Sequence, residues 1–260
     1  MDMRLKGKTA VVTGAGRGIG LSTVRALNAE GVRVLGAART ITAELKNSAD
    51  VCYSVDLTTP HGPSGLIDRA MIEFDGIDLL VNNAGGGDDV QLGGSSDLDD
   101  KHWYDTFALN LFAAVRVSRA ASRPLIERAG AIVNVSSVGA WQPSGPPLAY
   151  NVAKAALKAF GKAMATEIGP YGVRVNTVSP GPVRTDAWEA PNSFGGKLAA
   201  ASGMDQHAYL AEVPAMMGMA TGRIIEPEEV AALIVYLLSD VAASITGSDY
   251  LIDGGIVRRA

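Results

Sequence analysis

A single α/β domain, with a doubly wound parallel sheet between two helical layers, is the fold class predicted by this 260-residue sequence. Two observations predict it. Short β-rich runs alternate with segments of helical spacing, and those runs are continuously apolar instead of alternating with polar residues. A strand of that kind is buried on both faces, which calls for helices above and below a parallel sheet. One core of this size commonly serves an α/β chain, and no repeat, low-complexity tract or linker divides the sequence, so one domain over 1–260 is expected.

The strands are placed at Thr9 to Thr13, Val32 to Ala37, Val51 to Val55, Asp78 to Asn82, Ala131 to Ser136 and Val173 to Val178, with a last short strand at Tyr250 to Ile252. Helical spacing covers Ile19 to Glu30, Leu66 to Phe74, Trp103 to Arg128, Ala149 to Ile168 and Pro227 to Ser239. Pro146-Pro147 precedes the fourth of these, and Glu226-Pro227-Glu228-Glu229 puts proline and acids in the first turn of the fifth, where the helix dipole favours them. Pro124 is expected to kink or break the long third helix. Two stretches, Gly85 to Asp100 and Thr185 to Gly222, read as irregular and too long for simple connectors. Substrate loops are therefore expected near 86–100 and 185–222.

Composition removes several function classes. The net charge is −4, with no block rich in lysine and arginine, which argues against nucleic acid or an anionic membrane as the main partner. No stretch approaches the roughly 18 apolar residues needed to cross a bilayer. The apolar run after the basic start stops at Thr13-Gly14, too early for a signal-peptide core. The single cysteine, Cys52, cannot form an internal disulfide and reads as a buried strand residue. A cytoplasmic protein is expected.

The first strand runs into Thr13-Gly14-Ala15-Gly16-Arg17-Gly18-Ile19-Gly20 and then a helix. Glycines let such a turn approach a pyrophosphate, and the helix N-terminus offers free N–H groups and a positive dipole. Together with the βαβ order this makes the domain a Rossmann-like dinucleotide fold. The spacing is T-G-x-x-x-G-x-G through Thr13, Gly14, Gly18 and Gly20, since Ile19 stands where G-x-G-x-x-G requires glycine. NAD-preferring folds usually carry an acid at the end of the second strand; Val34 to Thr40 has none, and Arg39 stands there instead. Arg39, with Arg17 as a second cation, suits a 2′-phosphate, so NADP(H) is expected over NAD(H). The alternative for Arg39 is a solvated strand-end residue.

The strand at Ala131 to Ser136 ends in the hydroxyls of Ser136 and Ser137, and Tyr150 and Lys154 follow on a helix, four residues apart and on one face. An ammonium beside a phenol favours phenolate, which is expected to lower the Tyr150 pKa and make it a usable acid or base near neutrality.

In these features the chain resembles the short-chain dehydrogenase/reductase family, over nearly its whole length. Five match in order: the Thr13 to Gly20 turn, Asn82-Asn83-Ala84-Gly85, Asn110, Ser137 ahead of Tyr150-x-x-x-Lys154, and Pro180-Gly181. The resemblance implies an oxidoreductase that interconverts a ketone and a secondary alcohol by hydride transfer. The family's usual interval of 13 residues to the tyrosine selects Ser137 as the catalytic serine. Tyr150 would then move the proton, Ser137 would hold the carbonyl oxygen, Lys154 would hold the nicotinamide ribose, and Asn110 would support a water relay behind Lys154. Gly14, Arg17, Gly18, Ile19 and Gly20 would meet the pyrophosphate. Asp56 and Leu57 would lie near the adenine, Asn83, Ala84 and Gly85 along the cofactor, and Pro180, Val183 and Thr185 at the nicotinamide carboxamide. Asp56 has an equal reading as a strand-end cap.

Trp141, Trp188, Phe194, Tyr209, Met204, Met216, Met217 and Met219 flank or lie in the loops near this site and suit a roomy apolar pocket, or packing of lid on body or subunit on subunit. A carbonyl reductase for a medium or large apolar substrate is the leading reading. An NAD(H)-dependent secondary-alcohol dehydrogenase is the alternative within the same chemistry. A dinucleotide-sensing regulator without turnover would not need the activated tyrosine, and a sugar-nucleotide epimerase would carry a G-x-x-G-x-x-G turn. His102 and His207 could face the pocket but lack metal-ligand spacing with a partner, and His61 sits in a turn-like Pro60-His61-Gly62-Pro63, so no catalytic metal is expected. The closing Tyr250 to Gly255 segment resembles the family's last strand and turn, from which a homotetramer, or else a dimer, is expected.

Overall fold

The computed structural model describes residues 2–86, 91–143 and 146–258. Seven strands, β1 (Thr9–Thr13), β2 (Arg33–Ala38), β3 (Val51–Ser54), β4 (Leu79–Asn82), β5 (Ala131–Val135), β6 (Arg174–Pro180) and β7 (Asp249–Ile252), form one sheet in the order β3-β2-β1-β4-β5-β6-β7. Every neighbouring pair is parallel. The order reverses between β1 and β4, and the crevice beyond the carboxyl ends of those strands is where an open α/β sheet takes its ligand.

Both faces of the sheet are buried, as the continuous apolar runs require. Val12, Val34, Val81 and Val133 join one core with Val24 and Leu27 of α1 (Gly18–Ala29) and Ile234 and Leu238 of the last helix, α10 (Pro227–Leu238). Their chain neighbours Val11, Leu35, Leu80 and Ile132 point the other way, into a second core. That core is closed by α3 (Gly62–Phe74), α5 (Ala113–Glu127) and α6 (Leu148–Ile168), through residues such as Leu66, Val117 and Ile168. A short α2 (Ala43–Lys46) follows β2, with Thr42 accepting the Leu45 N–H as its cap.

The structure corrects the sequence expectations in three places. The long third helix is not broken at Pro124; α5 runs through it to Glu127. A proline three residues from a helix end removes one hydrogen bond from a turn that is about to finish, a loss the packed face of α5 absorbs. The interruption lies earlier, where α4 (Asp100–Phe107) passes into a π-helical turn at Ala108–Phe112 before α5 begins. The second correction concerns Thr185 to Gly222, which is not irregular. It holds α7 (Asp186–Glu189), α8 (Phe194–Ala201) and α9 (Gln206–Met216), gathered around a small core of their own built on Ala199, Tyr209, Val213 and Ile224. Third, Cys52 is only partly buried, in β3 at the edge of the sheet, although burial still pushes its thiol up.

The carboxyl end of α10 is capped from the sheet. Arg174 of β6 donates to the carbonyl oxygens of Leu237 at 2.6 Å, Leu238 at 3.1 Å and Ser239 at 3.0 Å. A cation at a helix C-terminus satisfies acceptors that the helix leaves open and complements its dipole. Replacing Arg174 with Ala is expected to cost about 3 kcal/mol, since each charge-assisted bond contributes about 1.5–3 and the water that enters recovers part of the loss. A urea midpoint unchanged from the parent chain would show that solvent caps the helix equally well.

Candidate active site

A long cleft of about 1590 Å³ runs along the carboxyl edge of the sheet, from the glycine turn to the α7–α9 lid. Its floor at the reversal of strand order is lashed together by two side chains. The Thr13 hydroxyl accepts from the N–H groups of Asn83 and Ala84, both at 3.0 Å, and donates to the Val81 carbonyl at 3.2 Å. The Asn83 amide donates to the carbonyls of Thr13 and Gly14, each at 3.1 Å.

The glycine turn depends on this close approach. Gly14 has φ +64°, and a Cβ there would stand 2.8 Å from the Ala84 Cα, so the side chain is excluded twice over. A Cβ on Gly20 would strike the Gly14 carbonyl. Gly20 therefore supports the turn from beneath and does not line the cleft, whereas Gly14, Arg17, Gly18 and Ile19 do. No side chain caps α1, whose N-cap is Arg17, so its first turn presents backbone donors to the cleft. A helix start with no side-chain cap, beneath a glycine-rich turn, fits the pyrophosphate of a dinucleotide.

At the far side of the turn Arg17 and Arg39 both line the cleft, Arg17 with its Nη1 3.5 Å from an Asp186 carboxylate oxygen. Asp56 and Leu57 line it too. Asp56 acts as the strand-end cap, its carboxylate accepting from the Thr58 N–H at 2.9 Å and hydroxyl at 2.7 Å. Those two bonds hold its pKa below the ordinary value. Thr42, which sequence reasoning did not single out, donates to the Gly16 carbonyl at 3.0 Å and so ties α2 to the glycine turn.

Ser137, Tyr150 and Lys154 meet in the middle of the cleft, with Asn83, Ala84 and Gly85 on one side and Pro180, Val183 and Thr185 on the other. Ser137 and Tyr150 are hydrogen-bonded to each other. Lys154 is 2 % exposed. Its ammonium donates to the Val135 carbonyl at 2.8 Å and lies 5.6 Å from the centroid of the Tyr150 ring. Gly85 is the residue that admits it, since a Cβ there would come 2.8 Å from the Lys154 Nζ. Asn110 lies one layer behind and does not line the cleft. It sits in the π turn, where its side chain accepts the Gly86 N–H at 2.8 Å and donates to the Gly86 carbonyl at 3.0 Å.

The electrostatics differ from the sequence argument. Burial lowers the Lys154 pKa from 10.5 to about 8. The Tyr150 pKa is raised by burial, against a smaller opposing effect of its bond to Ser137. The expected lowering by an adjacent ammonium is not what this form of the site displays, because Lys154 faces the ring and points its protons at Val135 while desolvation acts on both groups. At neutral pH Tyr150 keeps its proton.

Of the apolar residues singled out for the substrate end, Trp188, Phe194, Tyr209, Met216 and Met217 line the cleft. Trp188 and Phe194 meet edge to face at 5.2 Å. Trp141, Met204 and Met219 do not line it. Of the loop near 86–100, residues 87–90 lie outside the described residues, and none of 91–100 lines the cleft. Ile256 does, held there by the Asp253 carboxylate, which accepts the N–H groups of Gly255 and Val257. No periodic signal marks that turn, so sequence could not reveal it. Among the described residues no group of three His, Cys, Asp or Glu side chains could hold a metal ion, and no helix is long and apolar enough to cross a membrane.

A family model described as enoyl-(acyl carrier protein) reductase matches residues 14–257. The chain is 35% identical to the 3-oxoacyl-[acyl-carrier-protein] reductase of Vibrio cholerae, over 98% of this chain and 99% of the relative. It is 33% identical to a 3-alpha-(or 20-beta)-hydroxysteroid dehydrogenase of Mycobacterium tuberculosis, over 99% and 92%. Among solved structures, the L-sorbose reductase of Gluconobacter frateurii, complexed with NADPH and L-sorbose, superimposes with a TM-score of 0.91 at 33% identity, covering all of both chains.

Proposed function

The chain belongs to the short-chain dehydrogenase/reductase family, and from that membership we propose that it is an NADPH-dependent carbonyl reductase for neutral ketones of medium or large apolar character. That it is an NAD(P)-dependent oxidoreductase of hydroxyl and carbonyl groups follows from its relatives. The observation that carries the finer reading is the protonated Tyr150 hydroxyl, bonded to Ser137 in the middle of a cleft whose lid side is lined by Trp188, Phe194, Tyr209, Met216 and Met217.

Bound along the cleft, a nicotinamide dinucleotide supplies the hydride for reduction or takes it up in the reverse direction. Its pyrophosphate would rest on the first turn of α1, and Lys154 would hold the nicotinamide ribose. Tyr150 donates its proton to the carbonyl oxygen as negative charge develops there, and Ser137 donates a hydrogen bond to the same oxygen. With its pKa raised by burial, Tyr150 holds its proton at neutral pH, the state from which a reduction starts. Asn110 acts at one remove, fixing Gly86 next to Gly85, the glycine that faces the Lys154 ammonium.

The preference for the phosphorylated cofactor is supported by Arg17 and Arg39 at the adenosine end and by the NADPH bound to the sorbose reductase. Arg39→Asp is expected to shift the ratio of NADPH to NADH affinity toward NADH by about tenfold or more, through loss of a charge-assisted phosphate contact and gain of repulsion. An unchanged ratio in paired titrations would remove Arg39 from recognition. The substrate class is tested by comparing kcat/KM across apolar cyclic ketones, ketoses and acyl thioesters. Apolar ketones are expected to lead. A ketose in front would make the Trp188 side of the cleft a wall that the substrate avoids. The same reading carries a homotetramer, which light scattering on the purified protein checks.

A further inference from the structure

Ser137 can serve the carbonyl oxygen only if the turn that follows it keeps its hydroxyl beside Tyr150. That turn is slight. It is a three-residue 3₁₀ segment, Val138–Ala140, held by Ala140 N–H to Ser137 O at 2.9 Å and Trp141 N–H to Val138 O at 3.0 Å. Such a turn has little stability of its own. Its near end is coupled to Ser137 itself, whose hydroxyl accepts the Gly139 N–H at 3.1 Å.

The far end is anchored from the edge strand β7, two strands away from β5. The Trp141 indole N–H donates to Asp249 on β7 at 2.8 Å, across 108 positions of sequence. The other Asp249 oxygen accepts the hydroxyl of the fully buried Ser179 on β6 at 2.7 Å, and the Asp249 side chain is only 9% exposed. Lys158, one helical turn beyond Lys154 on α6, completes the group. Its ammonium lies 3.7 Å from Asp249 and 3.1 Å from the centroid of the Trp141 ring. A nearly buried carboxylate with a charge-assisted bond to an indole, a hydroxyl beneath it and a cation stacked on the same indole is a rigid clamp. It joins β6, β7, α6 and the Ser137 turn, yet Trp141 does not line the cleft.

We propose that Asp249 is a positioning residue for the reaction: by holding Trp141 it fixes the turn that keeps the Ser137 hydroxyl beside Tyr150. This rests on the reading that Ser137 and Tyr150 serve the carbonyl oxygen. Asp249→Leu removes the clamp, Asp249→Asn retains an uncharged acceptor of the same shape, and Trp141→Phe keeps an aromatic ring there but has no N–H to donate. Asp249→Leu and Trp141→Phe are each expected to lower kcat about tenfold, as small misplacements of catalytic groups do, with KM for NADPH held within about twofold. Asp249→Asn is expected to recover most of the loss. The double variant Asp249→Leu/Trp141→Phe should be no slower than the slower single variant, because both act through one contact.

Hydrogen exchange across residues 137–142 supplies a readout that does not depend on turnover. The Gly139 and Ala140 amides are expected to exchange faster in Asp249→Leu, with the rest of β5 unchanged. Wild-type kcat in a folded Asp249→Leu or Trp141→Phe protein would overturn the inference, and so would effects that multiply in the double variant. Unchanged exchange in the turn would overturn it whatever the activity. A wild-type protein that reduces no ketone would instead overturn the functional reading, leaving exchange to decide whether Asp249 orders the turn. Should Asp249→Leu fail to fold, Trp141→Phe decides alone.

Discussion

Replacing Tyr150 with Phe is expected to lower ketone reduction by about a thousandfold while leaving NADPH affinity within about twofold, as loss of a positioned general acid does. The ring would remain, so the contact with the Lys154 ammonium 5.6 Å from its centroid is kept. The dinucleotide cradle would remain as well, because Thr13, Gly14 and Asn83 hold one another without help from Tyr150. What disappears is the hydroxyl that Ser137 bonds. Ser137 alone can donate a hydrogen bond to the developing oxyanion, but a serine hydroxyl is too weak an acid to give up its proton there. Single-turnover oxidation of bound NADPH separates the chemical step from product release. A variant that retained a tenth of the wild-type rate would move the acid to another residue.

The second large effect concerns Lys154 and the pH dependence of stability in the cofactor-free protein. Burial lowers its pKa from 10.5 to about 8, so between these values the unfolded chain holds a proton that the folded chain has released. Stability then rises with pH across that window. The charged ammonium penalises folding fully below about pH 8, and the penalty is relieved as pH climbs toward 10.5. The change corresponds to about 3 kcal/mol. Lys154→Met has no such titration. It loses the bond to the Val135 carbonyl at all pH values, a constant offset. The stability of the wild type relative to Lys154→Met is therefore expected to increase by up to about 3 kcal/mol between pH 7 and 10.5 in denaturant titrations. A difference that stays flat would mean that water reaches the ammonium in the folded state.

Much of this fold was legible in the sequence because the sheet is parallel and buried on both faces. Runs such as Ala10-Val11-Val12 and Ile132-Val133 can have no other use, and each divides its side chains between the two cores. Tyr150 and Lys154 were legible because helical spacing fixes their relation without knowledge of the rest of the chain. What escaped was set by tertiary contact. The lid helices are short, and Pro191 and Pro214 break their pattern; they hold because Tyr209 and Val213 pack with Ala199 and Ile224. The π turn at Asn110 escapes a local reading, which registers Pro124 as the break but has no signal for the Asn110 side chain bonding Gly86. The four-residue spacing reveals the charge beside Tyr150 but not the burial that governs both groups. No local rule could join Trp141 to Asp249.

The assignment of ketone reduction to this cleft is tested most directly by mixing the purified chain with NADPH and an apolar ketone and following the reduced-nicotinamide absorbance while the alcohol is quantified. Ketone-dependent loss of absorbance, one alcohol formed for each NADPH consumed, is the expected result. NADPH that binds tightly but is consumed with no ketone in the panel would contradict a catalytic role for Ser137, Tyr150 and Lys154, and failure to bind either NADPH or NADH would contradict the dinucleotide site itself.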